Sequence, residues 1–199
     1  MSHFLQAYQA TMGHEGFYAN NPDDPGGETW KGIARNKWPA WGGWAVIDRV
    51  KIANPRNLQA ALAQSQELET LVQAFYEAHF FRALNLDRIE QAEIACELFD
   101  TAVNQGAETA GRYFQQALNL LNDNGRHYAD LRVDGKPGEL TLQAYKAYLN
   151  TAGLPGRSLE RNVKTLLKVL NGLQFETYKN ICAANARQEV FFYGWMNRV

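Results

Sequence analysis

A chain of 199 residues can bury a sizeable core, and 46% hydrophobic against 21% charged side chains is the balance of a globular protein in water. No apolar run approaches the length of a bilayer span, and a formal net charge of −1 lacks the basic excess with which nucleic-acid binders displace phosphate counterions. Stable membrane insertion and nucleic-acid partners are therefore not expected. Residues 1–93 carry 8 basic and 11 acidic side chains and the remainder 12 and 10, too small a difference to name a partner. Two cysteines, Cys96 and Cys182, make no disulfide framework and read as free core thiols. The amino terminus MSHFLQAYQ has no basic segment followed by an apolar one, so no Sec-type signal peptide is expected.

Phe4, Leu5, Tyr8 and Met12 recur at the spacing of an amphipathic helix, and continuing that spacing reaches Glu15. Gly16 comes next, where helices commonly stop, so the Glu15 carboxyl would lie at the negative end of the helix dipole and be partly desolvated. Both effects favour the protonated form. A carboxylic acid kept neutral near pH 7 is what a general acid for glycosidic cleavage requires, since it must protonate the leaving oxygen. A surface Glu at a frayed helix end is the plainer alternative.

Asn20, Asn21, Asp23 and Asp24 come next, interrupted by Pro22 and Pro25 and closed by Gly26-Gly27, a density of turn formers that specifies a loop. Thr29 to Ile33 reads as a short extended piece, part of one hairpin near residues 26–34. A zinc-protease helix is excluded because Tyr18 stands where His14-Glu15-x-x-His would need its second histidine. An EF-hand fails because Pro25 and Gly32 fall at ligand positions. No metal and no cofactor is expected.

Trp30, Trp38, Trp41 and Trp44 form an aromatic run that would serve either as sugar-stacking rings or as core. Helical spacing begins at Leu58, breaks at Ser65, and resumes through Leu68, Leu71, Val72, Phe75, Tyr76, His79 and Phe80 as one long core helix with His79 on its apolar face. A further helix is expected over residues 87–104, with Ile89, Ile94, Leu98, Phe99, Ala102 and Val103 inward and Gly106 as its stop. On it Asp100 and Asn104 share a face, either as a polar wall of a substrate cleft or as a hydrogen-bonded pair at the helix end. An amphipathic helix over residues 111–119 leads to Asp134-Gly135-Lys136-Pro137-Gly138-Glu139-Leu140-Thr141, a tight turn followed by a helix start. The remainder is helical, with breaks at residues 153–156 and near Gly172.

Three stretches carry a family resemblance. The run EGFYANNPDDPGGETWKGIA resembles the signature of the glycoside hydrolase family 108 N-acetylmuramidases, with Phe17 where that motif expects its second Gly. The helix Arg112-Tyr-Phe-Gln-Gln-Ala-Leu118 followed by Asp-Gly-x-x-Gly-x-x-Thr resembles small helical peptidoglycan-binding modules. The close Phe191-x-x-Gly194-Trp195-x-x-Arg198 is similar to that of the same muramidase family. The resemblance implies an all-α, lysozyme-like fold with a catalytic region over residues 1–93 and a peptidoglycan-binding region over 94–199. It implies hydrolysis of the β-1,4 bond between N-acetylmuramic acid and N-acetylglucosamine, with Glu15 as general acid and Asp24 or Thr29 handling water or the oxocarbenium-like charge. Tyr18, Asp23, Trp30, Asp100, Asn104, Asp134 and Thr141 are the expected contacts to peptidoglycan glycan strands. Relatives of this kind act in the periplasm or wall after export from the bacterial cytoplasm through a holin or secretion-system partner. A lytic transglycosylase using the same Glu, and a wall-binding accessory protein without turnover, stay open.

Overall fold

The computed structural model describes residues 3–12, 18–21, 26–53 and 56–198; Glu15, Asp23 and Asp24 lie outside them. The described residues form nine α-helices and a single pair of antiparallel two-residue strands, so the chain is all-α with one hairpin, as expected. Its contacts divide it into two compact units, Tyr8–His79 and Met1–Ala7 with Phe80–Val199. No described helix is long and apolar enough to cross a membrane.

The unit Tyr8–His79 takes the second half of α1 (His3–Met12), the strands β1 (Thr29–Trp30) and β2 (Ile33–Ala34), and helices α2 (Gly43–Ala53), α3 (Leu58–Ala63) and α4 (Gln66–Tyr76). Tyr8, Met12, Trp30, Ile33, Trp44, Ile47, Leu62, Leu68 and Val72 make its core. Ser65 caps α4 as its position suggests, its hydroxyl accepting from the Leu68 amide at 3.2 Å. The hairpin turns on Lys31 and Gly32, both at positive φ (44° and 80°), the two-residue geometry whose twist matches that of the strands. Lys31 is held there from both ends: its carbonyl accepts from the Tyr76 hydroxyl at 2.7 Å and its ammonium donates to Glu69 at 2.6 Å.

The long helix expected through Phe80 is α-helical only to Tyr76. Residues Glu77–Phe81 widen into a π turn, then tighten into a 3-10 turn at Arg82–Leu84 that closes on Asn85 at φ 54°. One added residue rotates the downstream chain by about 100°, so the three-and-four stripe cannot continue on the same face. Phe81 is buried, whereas His79, expected in the core, is exposed.

In the other unit Phe4 meets Phe81 and Phe99 edge-on, with centroids 5.5 and 6.0 Å apart, and helices α5 (Ala92–Gln105), α6 (Ala107–Leu121), α7 (Glu139–Asn150), α8 (Leu159–Ala184) and α9 (Glu189–Met196) complete it. α5 starts five residues later than the expected 87: Leu86–Arg88 is a 3-10 turn and Ile89 is extended. Ile89 is buried all the same, which is why periodicity misplaced the boundary. Gly106 ends α5 at φ 95°, as expected. α8 runs unbroken through Gly172, because Asn162, Val163, Leu166, Leu170, Gln174 and Tyr178 bury one continuous face, and that burial outweighs the cost of about 1 kcal/mol for an internal Gly. Cys96, Cys182 and Val103 are half-buried, not core.

Candidate functional site

Thr29, one of the two residues expected to handle water, begins β1. Its backbone pairs with Ala19 in both directions (2.9 and 2.8 Å), which ties the strand to the residues just after Tyr18. Its hydroxyl donates to the Gly27 carbonyl at 3.2 Å. Gly27 stands at φ +66° with the Asn36 amide 2.8 Å from where a Cβ would be, so both backbone and space demand glycine there.

Glu28, between that glycine and Thr29, is a charged residue of this loop that sequence reasoning passed over. Its carboxylate is 9% exposed and pairs with Lys51 and, at 2.7 Å, with Arg35. Arg35 in turn forks onto both oxygens of Asp48 (2.8 and 2.6 Å) with its guanidinium over the Trp44 ring. Tyr18 joins from the other side, with its hydroxyl bonded to Glu28 and Lys51 and its ring 5.5 Å from the Lys51 ammonium. Burial pulls the Glu28 carboxyl up, but the hydrogen bonds from Lys51, Arg35 and Tyr18 outweigh it and hold the group below the usual carboxylate range. Burial likewise raises the Tyr18 phenol. The only sequence hint was the position of an acid inside the Gly-Gly-x-Thr run; its partners lie on α2 and just after β2.

Two further carboxyls in this unit behave alike. The hydrogen bond from Arg35 holds Asp48 low. Glu69 is raised by burial, yet Lys31, Tyr8 and Gln73 donate to it and bring it below its ordinary value. Glu28, Asp48 and Glu69 thus stay ionised at neutral pH and cannot donate a proton there.

Of the expected substrate contacts, Tyr18 is half-exposed and joined to the Glu28 cluster. Trp30 is 1% exposed, so its ring belongs to the core and has no face to offer a sugar; its position next to Ile33 in the hairpin turns it inward. Trp44 is buried too, and Trp38, at 36% exposed, is the indole of the run that most reaches solvent. Asp100 and Asn104 form the helix-end pair (3.0 Å), and Asp100 also binds Arg198 at 3.1 Å, fastening the Gly-Trp-x-x-Arg close of the chain to α5.

Asp134 and Thr141 come together around Gln115 of α6. The Gln115 carbonyl accepts from the backbone amides of Asp134 and Gly135 (3.0 and 2.8 Å), and its amide donates to the Asp134 carboxylate at 2.9 Å and lies 3.4 Å from the Thr141 hydroxyl. That bond and the Lys136 amide hold the Asp134 carboxyl below its usual range. Thr141 is 3% exposed and braces the turn through Gln115. Beside the turn opens a depression of about 290 Å³ with Arg132, Asp134, Lys136, Glu139 and Leu140 among its walls.

Residues 8–106 match the family model described as Glycosyl hydrolase 108, and residues 109–199 match the one described as Predicted Peptidoglycan domain. No curated protein matches. Among solved structures the chain is similar to Brucella abortus SagA, 18% identical over 98% of this chain and 94% of that one, with a TM-score of 0.49. The chain therefore belongs to the glycosyl hydrolase 108 family of glycoside hydrolases and carries a peptidoglycan domain behind that region, which makes it a peptidoglycan hydrolase.

Proposed function

We propose that the chain is a muramidase, hydrolysing the β-1,4 bond between N-acetylmuramic acid and N-acetylglucosamine with Glu15 as general acid. The observation that carries this reading is the family match over residues 8–106, which takes in Glu15, Asp24 and Thr29, with the peptidoglycan domain directly behind it. The charge pattern of the unit is in keeping with it: Glu28, Asp48 and Glu69 are each kept ionised by cationic or hydroxyl partners and so are not the proton donor.

Glu15 protonates the leaving oxygen as positive charge develops at the anomeric carbon. Thr29 suits the water-holding role, because its hydroxyl proton is committed to the Gly27 carbonyl and its lone pairs can accept from a water. Asp24 is the carboxylate that would shield the charge or take the water's proton. Tyr18 and Asp23 are the proposed sugar contacts of the catalytic region, and residues 94–199 hold the wall through the surface beside Asp134. Action in the wall comes after export from the cytoplasm by a holin-like or secretion-system route.

Purified wild type and Glu15→Gln, incubated with peptidoglycan sacculi and followed by mass spectrometry of the released muropeptides, test the reading. The wild type should release reducing N-acetylmuramic acid ends, and the variant should release them at least about a hundredfold more slowly while still binding sacculi. Equal turnover by the variant would refute the role of Glu15. Anhydro ends would identify a transglycosylase, and no release from either protein a wall-binding one.

A further inference from the structure

The aromatic run contains a concavity that the assignments above leave unused. Trp38, Trp41, Phe75 and His79 wall a space of about 460 Å³ within the unit Tyr8–His79, with Lys37 at its rim. The rings brace one another: Trp38 meets Phe75 edge-on at 4.9 Å, and His79 lies 4.5 Å from Trp38 and 4.7 Å from Phe75. Two indoles of the run have their N–H groups engaged, that of Trp44 with the Trp38 carbonyl at 2.7 Å and that of Trp41 with the Leu71 carbonyl at 3.4 Å. The Trp38 indole N–H and the two ring nitrogens of His79 bond to no other described residue.

His79 lies within the π turn at Glu77–Phe81, exposed and beside Trp38. A helix that leaves its regular path to set a histidine against an exposed indole, over a floor of Phe75 at 6% exposure, gives a rigid platform with unspent donors. Such a surface matches the chemistry of an N-acetylated hexosamine. The C–H face of the ring stacks on an indole, the acetamido group offers one donor and one acceptor to the imidazole and the Trp38 N–H, and the Lys37 ammonium is placed for a lactyl carboxylate.

We infer that the Trp38–Trp41–Phe75–His79 pocket is a glycan subsite that binds an N-acetylhexosamine of the peptidoglycan strand. The inference rests on the hydrolase reading for its choice of sugar. It gives the aromatic run a binding role that Trp30, in the core, does not have.

The test is isothermal titration of the full chain and of its Trp38→Ala and His79→Ala variants with the stem-free tetrasaccharide of alternating N-acetylglucosamine and N-acetylmuramic acid, with sacculus digestion run in parallel. Both variants should weaken tetrasaccharide binding by about tenfold or more, as loss of a stacked ring or of its hydrogen-bonding partner would. Circular dichroism establishes that each is folded; if Trp38→Ala is not, His79→Ala decides, since its ring lies on the surface. Equal dissociation constants for all folded proteins would overturn the inference. So would the absence of tetrasaccharide binding by a wild type that digests sacculi, which would leave the hydrolase reading standing. Trp38-dependent binding without digestion would do the reverse.

Discussion

Glu97 shows how one buried acid sets a pH dependence. It lies on α5, where the Gln174 amide of α8 donates to it and its own helix places Asp100 three residues on. Burial first, and then repulsion from Asp100, push its carboxyl up to about 7, against the hydrogen bonds from Thr101 and Gln174. Because the folded state holds this proton more tightly than the unfolded chain, the contribution of Glu97 to stability is complete below the ordinary Glu range and is lost as pH rises toward 7. Glu97→Gln keeps the shape and the acceptor for Gln174. It should leave stability at pH 5 nearly unchanged and raise it at pH 8 by on the order of 1–3 kcal/mol, as read from urea unfolding at the two pH values. An equal effect at both would show that charge is not the cause. Glu28 is the counterpart: less deeply buried and with Lys51 and Arg35 beside it, it stays ionised and anchors the loop that carries Thr29. The two residues differ in burial and partners, not in residue type.

At the level of elements, glycines with opposite roles make the sharpest contrast. Gly111, inside α6, lets the Asp134–Gly135 turn close onto the helix: a Cβ there would lie 2.2 Å from the Gly135 carbonyl oxygen. Gly111→Ala must push that turn away from Gln115, at a cost of about 1–3 kcal/mol, and should weaken sacculus binding in a pull-down assay if the neighbouring depression contacts the wall. Gly172 faces solvent in the middle of α8, and a methyl group added there would meet nothing within 4 Å, so Gly172→Ala should stabilise the chain by roughly 0.5–1 kcal/mol, seen as a rise in Tm. A loss of stability in that variant would mean that the helix is held in a bent path there. The elements most legible in the chain were those with a strong stripe and an explicit stop, such as α4 after Ser65 and α5 before Gly106. The π turn and the late start of α5 were not legible, because π and 3-10 turns keep apolar residues buried without keeping the α period.

For the whole molecule, the family matches and the packing divide the chain differently. The glycosyl hydrolase match ends at residue 106 and the peptidoglycan match begins at 109, yet α5 and α6 pack together inside one compact unit across that point. Ala95, Leu98, Phe99 and Ala102 on α5 are all buried, so ending the chain at residue 106 removes α6 and exposes apolar surface. A fragment of residues 1–106 is therefore expected to aggregate or to lack cooperative unfolding by circular dichroism, whereas the full chain unfolds cooperatively. A soluble, cooperatively folded fragment would show that the first matched region makes its own core.

The sequence alone determined the helical class, the Ser65 cap, the Gly106 stop, the Asp-Gly turn before α7 and the family signature around residues 14–33, because periodicity, capping and turn chemistry act over a few neighbouring residues. Only the tertiary structure decided that Trp30 is core while Trp38 and His79 line a pocket, that Asp100 answers to Arg198, and that Glu28 is ionised. Each of those outcomes is set by a partner on another element, and burial and charge depend on what the fold brings within a few ångströms, not on what lies nearby in the chain.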